Sequence, residues 1–185
     1  WFSESFPDYP EAQLPTDSEG GKWKFDQLLS FVTGTHGSAG NPDAGEVVFE
    51  TAQCVNCHRS GDKGDSAGPD LTSITKRFTR REILQSMMYP SHFISTQNAA
   101  NTLLLTDDRR ISGIVTQGPE GEKILLQSNG EKMSIPEEDI KEVMPSRVSA
   151  MPTGLLNDLT LEQISDLFAF LSRSPSQAVT RRISD

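Results

Sequence analysis

Residues 54–58 read Cys-Val-Asn-Cys-His, and they hold the only two cysteines of this 185-residue chain together with one of its three histidines. That placement constrains the fold more than any other feature. Two thiols three positions apart close too small a loop to staple a structure, and such a pair is more often redox-active than structural. The core must therefore come from apolar packing. Hydrophobic residues make up 35% of the chain and charged residues 23%, enough for a modest core on the polar side of average. The length fits one domain, or one domain with an appendage.

A net charge of −9 is spread unevenly, with nine acids against two bases in residues 1–50. An acidic chain is a poor partner for nucleic acid, because neutralising phosphates needs clustered Lys and Arg. Lys76, Arg77, Arg80 and Arg81 form the one basic cluster. No apolar run approaches the roughly 20 residues that a membrane span needs. The first residue is Trp1 and no signal-peptide core follows it, so the chain reads as a processed or excised piece.

Residues 1–22, rich in Pro, Ser and acids, read as an extended arm or linker. Phe25, Leu28, Leu29 and Val32 follow helical spacing and predict a short helix over 24–33, ended by Gly34. A second helix is expected from Asp43, with Asp43 as cap and Glu46 three residues on. Thr79 and Glu82 make a capping box for a third, with Ile83, Leu84, Met87 and Met88 on its buried face and Pro90 beyond its end. From about 102 to 145 the apolar period changes to two. "TLLLT", "RISGIVT", "KILLQ", "EKMSI" and "IKEVM" predict five strands of an antiparallel meander with small polar turns. The last helix starts at a Thr160–Gln163 capping box and carries Leu161, Ile164, Leu167, Phe168 and Leu171 as one stripe. Residues 173–185 read as a frayed tail.

Cys-x-x-Cys-His is the signature of c-type haem attachment. On a helix Cys54 and His58 share a face at i and i+4, with Cys57 offset to the neighbouring side. Both thiols then add across the vinyl groups of one porphyrin edge while the imidazole reaches the iron. Two other chemistries use the same residue types. Zinc needs about four ligands, and His36, His58 and His92 stand at no finger spacing from the cysteines. A thioredoxin-like dithiol closes a strand and opens a helix, whereas here a helix precedes the motif and "RSGDKGDSAGPD" follows it as a glycine-rich loop. A five-residue pattern also arises by chance. The haem reading is preferred.

The surroundings carry a resemblance. Gly45 and Phe49 precede CVNCH, "GPDL" follows at 68–71, "SAMPTGLL" spans 149–156, and the last helix ends in "DLFAFLS". This set resembles a class I c-type cytochrome domain. Taken with "AGPDLTSITKRFTRREILQSMMYPSHFIS" and the strand-rich stretch, it is similar to the haem-binding domain of planctomycete and verrucomicrobial type. The resemblance implies a mainly α cytochrome c fold, α+β overall, with helices around a covalent haem and a small-barrel or meander insert before the methionine loop. It implies three pieces: 1–42, an extension with a short helix; 43–173, the cytochrome domain, with its insert at about 101–145; and 174–185, a tail. Cys54 and Cys57 would carry one haem c by thioether bonds, and His58 and Met151 would be the axial ligands of its iron. The Pro69 carbonyl would accept the His58 Nδ1–H. Gly45, Phe49, Phe168 and Phe170 are candidates for the helix crossing. Cys54 follows Phe49 at one position more than the family's usual spacing.

Of the five methionines, Met87 and Met88 read as core filler on a helix and Met133 as a strand residue. Met144 closes the last strand, and Met151 lies in an irregular segment where a side chain can be aimed. His36 and His92 are the substitutes for it. Arg77, ahead of Arg80 and Arg81, is the first choice for a haem propionate. The expected function is electron transfer rather than catalysis, with redox partner proteins or a fused redox domain as partners. The site would be periplasmic or otherwise extracytoplasmic, because haem c is attached there. The alternative is a haem enzyme or a gas or redox sensor with an open or displaceable distal position. A third reading makes the insert a protein-interaction barrel and the haem mainly a folding staple.

Overall fold

The computed structural model describes residues 14–17, 21–92 and 99–173. Most of the expected N-terminal arm and the expected tail at 174–185 thus lie outside the described residues. Among the described residues the chain forms four α-helices and five strands. The helices are α1 (Phe25–Thr33), α2 (Pro42–Thr51), α3 (Arg80–Met88) and α4 (Leu161–Leu171). The strands β1 (Asn101–Leu105), β2 (Arg110–Gln117), β3 (Lys123–Leu126), β4 (Lys132–Ile135) and β5 (Ile140–Pro145) lie between α3 and α4. No helix among the described residues is long and apolar enough to cross a membrane.

Local chemistry sets the helix ends. α3 and α4 begin at the expected capping boxes, Thr79 with Glu82 and Thr160 with Gln163. Each side chain satisfies the other's free backbone N–H. α2 differs from expectation. Its cap is Asn41, whose side chain accepts from the N–H groups of Asp43 and Ala44, with Pro42 at the first helical position. Pro has no N–H to satisfy there and its fixed φ already suits a helix, so the start moves one position ahead of Asp43. α2 also stops at Thr51 and does not reach the cysteines.

One apolar cluster joins all four helices. Phe25, Leu28 and Val32 of α1 enter it beside Val48 and Phe49 of α2, Ile83 and Leu84 of α3, and Ile164, Leu167, Phe168 and Leu171 of α4. The segment expected as an extension therefore shares the main core. Arg80 of the basic cluster is spent on this packing. Its Nη1 donates to the carbonyls of Val32 and Gly37 at 2.9 Å each, a cation at the end of α1 where the helix dipole is negative. Its guanidinium lies 5.6 Å from the Phe168 ring centre.

The strands pair in the order β4-β3-β2-β1-β5, every pair antiparallel. β2 is shared: residues up to Gly113 pair with β1, and Ile114 onward with β3. β1 to β4 thus form the expected meander, whereas β5 crosses over to pair with β1, at the edge opposite β4. It has its own core of Leu103, Leu105, Leu125 and Ile135, with Ile111, Val115 and Ile140 against it. The insert folds around its own residues and leaves the helical cluster continuous.

α2 and α4 cross where the side chains are smallest. Phe49 and Phe170 stack with ring centres 5.2 Å apart, Asp166 accepts from the Asn41 N–H at 2.6 Å, and Gly45 faces the α4 backbone. A methyl carbon at Gly45 would lie 1.9 Å from the Asp166 carbonyl oxygen and 2.8 Å from Phe170 Cβ. Gly45→Ala must force the helices apart and should cost roughly 1–3 kcal/mol or more in urea unfolding. Val47→Ala, on the same helix at a residue 58% exposed, should stay within about 0.5 kcal/mol.

Candidate functional site

Between α2 and the cysteines the chain breaks its helix at Gln53, which adopts a left-handed conformation (φ 62°). Cys54–Asn56 then form a single 3-10 turn. The helical spacing expected for Cys54 and His58 is thus met by a tighter turn, and the extra position between Phe49 and Cys54 is taken up at Gln53. One helical bond survives, from the His58 N–H to the Cys54 carbonyl at 2.9 Å. It keeps Cys54 and His58 one turn apart.

The following loop folds back on this turn. The Gly68 N–H donates to the Cys57 carbonyl at 2.6 Å, and the Leu71 N–H to the Arg59 carbonyl at 2.8 Å. His58 Nδ1 then lies 2.8 Å from the Pro69 carbonyl oxygen. A carbonyl only accepts, so the imidazole proton sits on Nδ1 and Nε2 keeps a free lone pair. Gly68 permits this approach, since a Cβ there would fall 2.9 Å from His58 Cε1 and 3.0 Å from Nδ1. Burial lowers the His58 pKa, opposed by the Pro69 bond. The brace extends further out. The Asp70 carboxylate holds Arg59 and the hydroxyl and N–H of Thr72, while its carbonyl accepts from Arg77 Nη2 at 2.8 Å.

Cys54, Cys57 and His58 open into a cavity of about 440 Å³, inside the range of pockets that enclose a cofactor. Phe49, Pro69, Leu71, Ile83, Leu156 and Leu167 contribute to its mostly apolar wall, and Met151 lines it from the loop ahead of α4. Arg77 lies on the same lining beside Phe78. The six residues singled out as site candidates, Cys54, Cys57, His58, Pro69, Arg77 and Met151, therefore converge. His36 and His92 do not line the cavity, and neither do Met133 and Met144. Met87 does, although its spacing reads as core filler. Only the packing of α3 against the methionine loop separates those two roles, and no spacing reports it. Ile114 and Ser128 of the insert also reach the lining. Near them Lys132 pairs with Asp65, and Gly130 lies against the Asn56 side chain.

The thiol chemistry separates the readings left open above. Burial pushes the Cys54 thiol up to about 11, with the neighbouring Cys57 adding to the shift. Burial and the Asp65 charge raise Cys57, opposed by Lys132. A dithiol catalyst needs the opposite, a thiolate stabilised near neutral pH. Among the described residues no three His, Cys, Asp or Glu side chains converge to hold a bare metal ion. The donor set is two thiols, one oriented imidazole and a thioether, around a mostly apolar cavity. These residues fit a haem.

The Cytochrome c family model matches residues 42–174. No curated protein matches the chain.

Asp70 provides a pH test of the brace. The Thr72 hydroxyl, then Arg59 and the Thr72 N–H, hold its carboxyl down at about 2, against an ordinary 3.8. A depressed carboxyl contributes stability above its unfolded pKa and loses it as pH falls through the folded one. The Arg59–Asp70 pair is about half exposed, so screening limits the effect. Asp70→Asn should cost less than about 1 kcal/mol at pH 7. In denaturant titrations that difference should close as pH falls from 3.8 to about 2.

Proposed function

The chain belongs to the cytochrome c family, and from that premise we propose an electron-transfer module carrying one covalently attached haem c, with His58 and Met151 as its axial ligands. Cytochrome c domains bind haem and work with redox partners. The observation that carries the finer reading is the convergence of both thiols, the oriented imidazole and the Met151 thioether on one cavity. Within it Cys54 and Cys57 take the two thioether bonds. The Pro69 carbonyl holds the His58 proton on Nδ1 and raises the basicity of Nε2. Met151 would supply the second ligand to the iron, a sulfur that would favour a raised reduction potential and leave no open position.

Bound there, the haem supplies a one-electron couple between Fe(II) and Fe(III). The protein's own work is to keep the two ligand side chains in place and to exclude water. Leu71, Ile83, Leu156 and Leu167 do the second, and the loop from Arg59 to Arg77 does part of the first. Arg77 is the candidate for a propionate contact, since it lines the cavity while one guanidinium nitrogen is held by the Asp70 carbonyl. The insert, touching the lining only through Ile114 and Ser128, is assigned to docking rather than chemistry. Thioether attachment of haem c takes place outside the cytoplasmic membrane, so the location is extracytoplasmic, periplasmic in a bacterium. The domain proper is assigned to 43–173 with an N-terminal extension.

An absorption spectrum of the purified chain tests this directly. The ferric protein should be low-spin with a sulfur-to-iron charge-transfer band, and Met151→Ala should abolish the band. Met87→Leu should keep it. A five-coordinate, high-spin resting spectrum in the unmutated protein would overturn the electron-transfer reading in favour of an enzyme or sensor with an open distal position.

A further inference from the structure

The family match begins at residue 42, yet the loop behind Met151 is held from outside that range. Trp23 Nε1 donates to the Leu156 carbonyl at 2.9 Å. Lys22 Nζ donates to the Leu159 carbonyl at 2.7 Å, and the Lys22 backbone N–H to Asn157 Oδ1 at 3.2 Å. The Lys22 ammonium also lies 4.8 Å from the Trp23 ring centre, so the two side chains act as one clamp. Leu156 and Leu159 are buried, and both line the cavity with Met151.

The clamped stretch has little to hold it from within. It is irregular, and its internal backbone bonds are Asn157 N–H to the Gly154 carbonyl and Leu159 N–H to the Leu156 carbonyl. At its other end Ser91 accepts from the Ser149 N–H at 3.0 Å. The clamp is itself anchored. Asp17 accepts from the Phe25 N–H at 3.1 Å and from the Tyr89 hydroxyl at 2.6 Å, which ties the chain before α1 to the end of α3. Loops of this kind move cheaply unless bonded to a rigid element, and here that element is α1.

We propose that Lys22 and Trp23 are positioning residues for the distal ligand. By pinning the carbonyls of Leu156 and Leu159 to the start of α1, they hold the methionine loop closed on the cavity and set how firmly Met151 stays in place. Movement of the segment before α1 is thereby transmitted to the distal side of the haem. This rests on Met151 being the axial ligand.

The test uses the haem-loaded ferric protein, with imidazole titrated in as a competitor and loss of the sulfur-to-iron band as the readout. Trp23→Phe keeps an aromatic ring and removes the donor, while Lys22→Met keeps the stem and removes the ammonium. Either should bind imidazole roughly three- to tenfold more tightly, the scale of one lost hydrogen bond. Hydrogen exchange should quicken over residues 149–159. Val32→Ala, in the same core and off the cavity lining, should lower the melting temperature and leave imidazole affinity within about twofold of the parent. A band in the parent with unchanged imidazole affinity in both variants would overturn the positioning role and leave the axial assignment standing. An equal shift in Val32→Ala would also overturn it, by showing a global effect. No band in the parent would remove both.

Discussion

The bond from His58 Nδ1 to the Pro69 carbonyl is the contact on which the site depends. Because that oxygen can only accept, it decides the tautomer of the imidazole and the nitrogen left for iron. Much of the chain from Arg59 to Arg77 serves to hold it. Gly68 supplies space beside the ring, its N–H closes onto Cys57, and Asp70 is gripped by Arg59, Thr72 and Arg77. A histidine held from its far nitrogen presents a constant face to the metal. An electron carrier needs that constancy, because any ligand movement between oxidation states slows transfer.

The methionine loop is built differently. Met151 sits on an irregular loop whose fixed points lie far away in sequence: Ser91 after α3, and Lys22 and Trp23 before α1. The histidine side is therefore a local construction over some twenty residues, and the Met151 side is a tertiary one. Under the proposed ligation, such a division would suit a site whose attachment is permanent and whose second ligand can be tuned. The strand insert meets the site at its margin, through Ile114, Ser128 and the contacts of Lys132 with Asp65 and Gly130 with Asn56. With its own core and few cavity contacts, it extends the chain between α3 and the methionine loop without interrupting the cluster that α2 and α4 close at Gly45.

Element by element, the fold was largely legible wherever a short-range rule applied. The capping boxes at Thr79 and Thr160 mark helix starts because both partners lie within one turn. The strand pattern is readable where inward residues alternate, as Leu103 and Leu105 do in β1. The cap of α2 differs because Asn41 and Pro42 together outcompete Asp43, two local signals two residues apart. CVNCH itself forms a 3-10 turn after Gln53, whose left-handed backbone no propensity scale anticipates. Arg80 read as a surface or propionate residue, and its true partners are carbonyls of Val32 and Gly37, more than forty positions away.

The sequence by itself determined the donor set that the proposed attachment would use: two thiols and an imidazole at fixed spacing, with a glycine and proline shortly after to orient the ring. Those contacts form within a few residues of chain, so spacing encodes them. Only the tertiary structure decided what shares the cavity. It placed Met151 and Met87 on one lining, excluded His36 and His92, and put Trp23 behind the distal loop. Each of these follows from the α2–α4 crossing and the burial of α1 in the same core, long-range contacts that no local pattern records.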